Sequence, residues 1–289
     1  MQRGSWPKLL GYWTAVPWSN VGKVENHGFD LSVNWNKQFN RNLSMDLRFN
    51  MSYNKNKYEY RDEPDYPYVW QTTTGKPLNA RYGYIAEGLF KDKHDIATSP
   101  IQNLGSEVKP GDIKYRDVNG DGQITSEDKV MISPYGSIPR LQYGIGTDFN
   151  WKHFDFGVFF TGSAKRENII SGFFPFVSDE GHGNRSVFSF ITRNRWTENN
   201  PDPNAEYPRL GYTSQQVANN NQPSTYWLRD MSFVRWKTIE LGYTLPWGRV
   251  YISGDNIAVW SKFKDWDPAI WWNTYPLSRT WNLGIQLHF

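Results

Sequence analysis

Arg279-Thr-Trp-Asn-Leu-Gly-Ile-Gln-Leu-His-Phe289 is the stretch whose reading decides the fold. Trp281, Leu283, Ile285, Leu287 and Phe289 are apolar, and Thr280, Asn282, Gly284, Gln286 and His288 between them are small or polar. Successive side chains of a strand point to opposite faces, so this segment has one apolar and one polar face. A tilted strand needs about 9–11 residues to cross a bilayer, and this segment is that long. Two architectures use such a strand: the wall of a transmembrane β-barrel, and a sandwich in which the apolar face meets a second sheet.

Three hairpins lie upstream of it. Phe29, Leu31, Val33 and Trp35 alternate with Asp30, Ser32, Asn34 and Asn36; after the polar connector 36–42, Leu43, Met45, Leu47, Phe49, Met51 and Tyr53 alternate with polar residues. Two such runs joined by a short polar link predict a hairpin. A second hairpin is predicted from Leu141–Trp151 and Phe154–Phe160 with a turn at Lys152-His153. A third pairs 231–245 with 249–260 around Leu245-Pro-Trp-Gly248. Between them, 54–80 reads as a charged loop, 81–90 as a strand, and 187–196 as a short helix within the polar stretch 162–228. Short links at 152–153 and 246–248 thus alternate with long ones at 162–228 and 261–278, the habit of membrane barrels rather than of sandwiches. Asp46, Arg48, Asp148, Asp155 and Glu240 fall opposite the apolar face, as a polar lumen requires. The fold predicted is all-β, an antiparallel transmembrane barrel portion; a soluble, calcium-stabilised, carbohydrate-binding β-sandwich is the alternative.

Composition narrows the classes. Net charge is +3 with no long basic cluster, which argues against nucleic acid as a partner. Mean hydropathy is −0.71 and no run approaches 18 apolar residues, so no transmembrane helix is expected; barrel strands hide their hydrophobicity in alternation. The 15 Trp, 17 Tyr and 17 Phe suit interfacial girdles or sugar-stacking platforms. There is no cysteine, hence no disulfide or thiol chemistry. Met1-Gln-Arg-Gly-Ser-Trp6 lacks the apolar core of a signal peptide.

The strongest local motif is Asp117-Val-Asn-Gly-Asp-Gly-Gln-Ile-Thr-Ser-Glu-Asp128. Asp117, Asn119 and Asp121 supply oxygens at positions 1, 3 and 5, Gly122 permits the sharp turn, Gln123 offers its carbonyl, and Asp128 closes the loop. A hard cation such as Ca²⁺ needs six to eight oxygens converging in this way. A turn held by its own side-chain to backbone bonds is the competing reading, and the role expected is structural. Trp266, Trp271, Trp272 and Tyr275 form a candidate ligand-stacking loop or an interfacial girdle. No catalytic set is expected: Ser126–Lys129 sits inside the Asp-rich loop, the segment Asp179–Ser186 is a weak Ser/His/Asp candidate, and the histidines lack ligand spacing.

Gly111-Asp-Ile-Lys-Tyr-Arg116, leading into the Asp-rich loop, resembles the SusC/RagA class of TonB-linked outer-membrane transporters of Bacteroidetes. Val21–Leu31 is similar to that class's G-x-x-x-N-x-G-F-E-L segment, with Asp30 for Glu. Gly75-Lys-Pro-Leu, Tyr82-Gly-Tyr84, Gly88-Leu-Phe90, Arg195-Trp-Thr, Tyr207-Pro-Arg209, Phe233-Val-Arg235, Leu241–Pro246 and Ser253-Gly-Asp-Asn256 follow in its order. The resemblance implies a 22-stranded, plugged barrel in the outer membrane that imports glycans or peptides under a SusD-like surface lipoprotein, driven by TonB. Residues 1–289 then correspond to its C-terminal part, about the last ten strands, without signal peptide, plug, TonB-contacting segment or early strands, and with no enzymatic activity.

Overall fold

The computed structural model describes residues 2–3, 18–20, 22–170, 188–211, 215–270 and 274–287. Two compact units emerge: a sheet unit of 27–55, 135–168 and 229–289, and a loop unit of 1–26, 56–134 and 169–228.

The sheet unit is built on one antiparallel sheet of seven strands: β1 Gly22–Asn40, β2 Leu43–Arg61, β3 Leu141–Trp151, β4 Phe154–Ala164, β5 Phe233–Leu245, β6 Gly248–Ser261 and β7 Thr280–Leu287. Each strand is bonded to the next in chain order. Alternation within strands becomes rows across them. Met45, Phe149, Phe156, Leu241, Ile252 and Leu283 are successive cross-strand partners, and so are Leu43, Trp151, Phe154, Tyr243, Val250 and Ile285. On the other face one row runs Asp46, Asp148, Gly157, Glu240, Ser253, Asn282. The side-chain period is two, so one row fixes the face of every other residue. A bulge between Trp236 and Thr238 switches the parity, which brings even-numbered Val234 and Trp236 onto the face of odd-numbered Ile239 and Leu241.

Three tight turns, at Arg41–Asn42, Lys152–His153 and Pro246–Trp247, join strands at one end of the sheet; the long connections 62–140, 165–232 and 262–279 leave from the other. Lys152 adopts φ +55°, the left-handed conformation that a two-residue hairpin turn uses. The turns are also tied to neighbouring strands: the Lys152 N–H donates to the Asn42 carbonyl and the Thr244 N–H to that of His153, both at 2.7 Å.

Among the described residues no second layer covers the apolar face. Leu283 is 79% exposed and Ile285 62%. The buried apolar side chains concentrate instead in the loop unit, where Tyr84, Phe90, Ile113, Tyr115, Tyr207 and Trp227 are almost fully enclosed. Short strands organise that unit: Arg81–Gly83 pairs with Val130–Ser133, Ala86–Leu89 with Ile113–Tyr115, and Ile101–Gln102 runs parallel to Gln123–Ile124. The short helix predicted near 187–196 is Ser189–Asn194. No described helix is long and apolar enough to cross a membrane.

Several predicted boundaries move. β2 runs to Arg61, so the expected loop 54–80 begins only at 62, because the charges of 55–61 alternate across a hairpin closed by Lys23–Glu59 and Lys57–Glu25 pairs at 2.9 and 2.8 Å. The strand predicted at 81–90 is two short strands in different sheets. Among the described residues the sheet holds seven strands, the resemblance implying about ten, and the other described extended pieces pair only locally. β7 is described over Thr280–Leu287; His288 and Phe289 lie outside the described residues.

Candidate functional site

The polar face of the sheet carries charge in paired form. Arg249 on β6 reaches Asp155 on β4 through Nε, 3.0 Å from Oδ2, and Glu240 on β5 through Nη2 at 2.5 Å. Arg48 on β2 bonds Asp148 on β3, and Asn36 on β1 bonds Asp46 on β2. All five acidic and basic residues assigned from sequence to a lumen face therefore share one face. Around them lies a hollow of about 390 Å³, lined in part by Asp148, Asp155, Thr238, Glu240, Ser253 and Asp255. At the end of the sheet with the long connections Arg235, 3% exposed, donates to Asp267 at 2.5 Å and bonds the Asn256 side chain. Asn256 in turn donates to the carbonyls of Leu277 and Ser278 at 2.9 and 3.2 Å.

In the loop unit, four separated motifs meet at Gly111-Asp112. Gly111 has φ +84°, and any Cβ there would run into the Trp196 ring, so glycine is required twice over. Its N–H donates to the Phe90 carbonyl at 2.8 Å, and its own carbonyl accepts the Arg209 N–H at 2.9 Å. Asp112 is fully buried. It accepts the Lys109 N–H at 2.8 Å and the Asn220 amide at 2.7 Å, and it pairs with Arg209 at 2.7 Å. Burial pushes the Asp112 carboxyl above the usual carboxylate range, against the pull of the Arg209 guanidinium and the hydrogen bonds.

The strand Ile113–Tyr115 has a strand partner on one side only; on the other, side-chain amides take that role. The Ile113 N–H donates to Asn220 Oδ1 at 2.9 Å, the Tyr115 N–H to Gln102 Oε1 at 2.6 Å, and the Ile113 carbonyl accepts from both Gln102 and Asn219 at 2.9 Å. Buried backbone groups must be paired, and here three amides do what a neighbouring strand would. Burial raises the Tyr84 hydroxyl to about 12 and that of Tyr115 further still, so both stay protonated at neutral pH. A cleft of about 1160 Å³ opens beside this node, with Lys93, Lys109, Arg195, Trp196, Glu198 and Arg209 among its walls.

The Asp-rich loop closes on its own amides. Asp117 accepts the Gly120 and Gly122 N–H groups at 2.7 Å each, Asn119 that of Asp121 at 3.1 Å, and Asp121 that of Gln123 at 2.8 Å. Asp128 is fully buried; its carboxylate accepts the Val118 N–H at 2.8 Å and the Thr125 N–H at 2.7 Å, completing a capping box. Among the described residues no group of three or more His, Asp or Glu side chains stands together as a metal site, so a cation in this loop would draw on amide and carbonyl oxygens as well as carboxylates. The loop instead anchors an aromatic pair that the sequence reading missed. Tyr68 and Trp70 stack at 4.6 Å and 7°; the Trp70 indole N–H donates to the Glu127 carbonyl at 2.8 Å, and the Asn119 amide to the Tyr68 hydroxyl at 3.3 Å.

Of the candidate stacking residues, Trp266 packs edge-on against the buried Phe263, centroids 4.5 Å apart, while Tyr275 is 85% exposed. Trp271 and Trp272 lie outside the described residues, as do Asp179–Ser186. The Lys129 ammonium sits over the Tyr84 ring, 5.3 Å from its centroid.

No family model matches the chain. Among curated proteins it is 26% identical over 320 residues to TonB-dependent receptor P26 of Formosa agariphila, a match spanning 98% of this chain and 31% of that protein. It is 27% identical over 296 residues to TonB-dependent receptor SusC of Bacteroides thetaiotaomicron, spanning 93% and 27%. The RagAB peptide importer in its open-open state has a similar fold over 98% of this chain and 30% of that one, with TM-score 0.68 and 22% identity. A second RagAB peptide transporter structure gives TM-score 0.68 and 21% identity over 99% and 31%. The chain thus spans under a third of the length of these relatives, which are TonB-dependent receptors and a peptide importer. In sequence and in fold, over nearly its whole length, it matches the SusC/RagA-type TonB-dependent receptors of Bacteroidetes.

Proposed function

We propose that the chain forms part of the wall, and several outer loops, of an outer-membrane transporter that imports glycans or peptides. One observation carries this reading: row after row of apolar side chains on β1–β7 faces outward without a covering layer, while the opposite face holds ion pairs around a hollow. Lipid is the solvent that suits the first face and a water-filled lumen the second. The soluble sandwich would need the first face buried, and its apolar core would lie between sheets rather than in the connections.

On this reading the tight turns lie at the periplasmic end and the long connections outside the cell. A SusD-like lipoprotein would sit over those connections, and TonB would act through a part of the receptor outside this chain. The topology is tested with Tyr275→Cys, at an exposed position in the connection before β7. An impermeant maleimide should label it on intact cells; labelling only after lysis would reverse the orientation.

Asp117, Asn119, Asp121, Gln123 and Asp128 would hold calcium as a structural ion. A carboxylate oxygen that accepts one N–H keeps a second lone pair for a cation. With dissociation constants of about 10⁻⁴–10⁻³ M for weak extracellular sites, millimolar Ca²⁺ is expected to raise the melting temperature and slow amide exchange over 112–138. Unchanged exchange would leave the loop held by its own amides alone.

A further inference from the structure

Among the described residues, the turn end of the sheet carries basic groups that form no ion pair with a carboxylate. On the apolar face of β1, Lys37 stands between Trp35 and Phe39, in alternation with them. Arg41 and Lys152 are exposed in adjacent turns, linked by the bond from the Lys152 N–H to the Asn42 carbonyl, and His153 follows. Aromatic rings flank them. The Lys152 ammonium lies 5.4 Å from the centroid of Trp151; Trp151 and Phe154 stack at 6.2 Å, and Tyr243 touches Phe154 at 4.7 Å and His153 at 5.9 Å. The nearest carboxylates along these strands, Asp46 and Asp155, are on the opposite face and are bonded to Asn36 and Arg249. Along β1 and β2 the carboxylates in register with Lys37, Glu25 and Glu59, lie at the opposite end of the hairpin and are paired with Lys57 and Lys23.

Aromatic belts sit at the level of lipid headgroups, and long basic side chains extend from apolar surface toward phosphate. Basic groups without acidic partners select net-negative headgroups over zwitterionic ones, whose ammonium finds no carboxylate here. We propose that Lys37, Arg41 and Lys152, with the His153 ring, bind the phosphate of anionic phospholipids in the leaflet at the tight-turn end. The inference rests on the sheet being a membrane wall.

The complete receptor carrying this chain would be inserted into vesicles of equal phosphatidylethanolamine and phosphatidylglycerol, extracted in mild detergent, and its retained lipid measured by mass spectrometry. Phosphatidylglycerol should be enriched, by about fivefold per basic group at low ionic strength, and the enrichment should fade in high salt. The triple variant Lys37→Gln/Arg41→Gln/Lys152→Gln should lose it and still insert, whereas Lys55→Gln, at the other end of the same hairpin, should keep it. Equal retention of both lipids by the native protein, or loss of preference in Lys55→Gln as well, would overturn the proposal. Failure to insert into vesicles of either composition would instead remove the wall reading, and this proposal with it.

Discussion

Ile252→Arg in the full receptor is expected to cut the yield of heat-modifiable, folded protein at least about tenfold, while its neighbour Ser253→Arg stays near the native level. Ile252 lies on the apolar face between cross-strand partners Leu241 and Leu283. An arginine facing lipid costs about 2–4 kcal/mol near the midplane. Each 1.4 kcal/mol is a factor of about ten in an equilibrium constant, so even the low end shifts strand insertion about thirtyfold toward the unassembled form that is removed in cells. Ser253 points the other way, opposite Glu240 in the polar row, where a guanidinium finds a carboxylate. Equal yields of the two variants would contradict the assignment of faces. The same substitution at Ile285 is a weaker test: it shares a row with Trp151, Phe154 and Tyr243, and at such an interfacial level the cost falls to about 0–1 kcal/mol.

Asp112→Ala is expected to loosen the loop unit by about 3–5 kcal/mol, because it strands a charged partner in the interior. Arg209 would lose its carboxylate, keeping only the Gln216 carbonyl, and the Asn220 amide and the Lys109 N–H would lose the same acceptor at once. Amide exchange should rise over 111–115 and 207–220, and protease should cut there, while heat-modifiability of the barrel is retained. Asp112→Asn keeps one acceptor oxygen and should fall between, and Asp65→Ala, in an exposed part of the connection, should be neutral to within about 0.5 kcal/mol. Native-like exchange in Asp112→Ala would show that the node does not hold the unit.

The hairpins were legible because a period of two needs no tertiary information. Leu43–Tyr53, Leu141–Trp151 and 231–245 announce their strands from local order alone, and the structure moves strand ends by only a few residues except at β2 and at β1, which also takes in 22–28 and most of the expected connector 36–42. The loop unit was not legible in this way. Gly111-Asp112, Arg195-Trp-Thr and Tyr207-Pro-Arg209 could be matched to a family in order, yet their contact depends on closing chain segments of about a hundred residues. Asn219 and Asn220 look like loop residues because Asn usually is one. Only their burial against Ile113 reveals them as substitutes for a strand edge. The Tyr68–Trp70 stack is hidden for the same reason: its anchors, Asn119 and Glu127, lie some fifty residues away in the Asp-rich loop.

What the sequence by itself determined is the alternation along the hairpin strands, the separation of apolar from charged residues, and the rhythm of short turns and long connections. Each is set by neighbours a few residues apart, through the geometry of a single strand. What only the tertiary structure decided is where the apolar residues go. Those of the strands stay uncovered, and the true core forms in the connections around Tyr84, Ile113, Tyr207 and Trp227. Side-chain direction is local, but burial depends on what the rest of the chain brings to that face, and no local pattern encodes that.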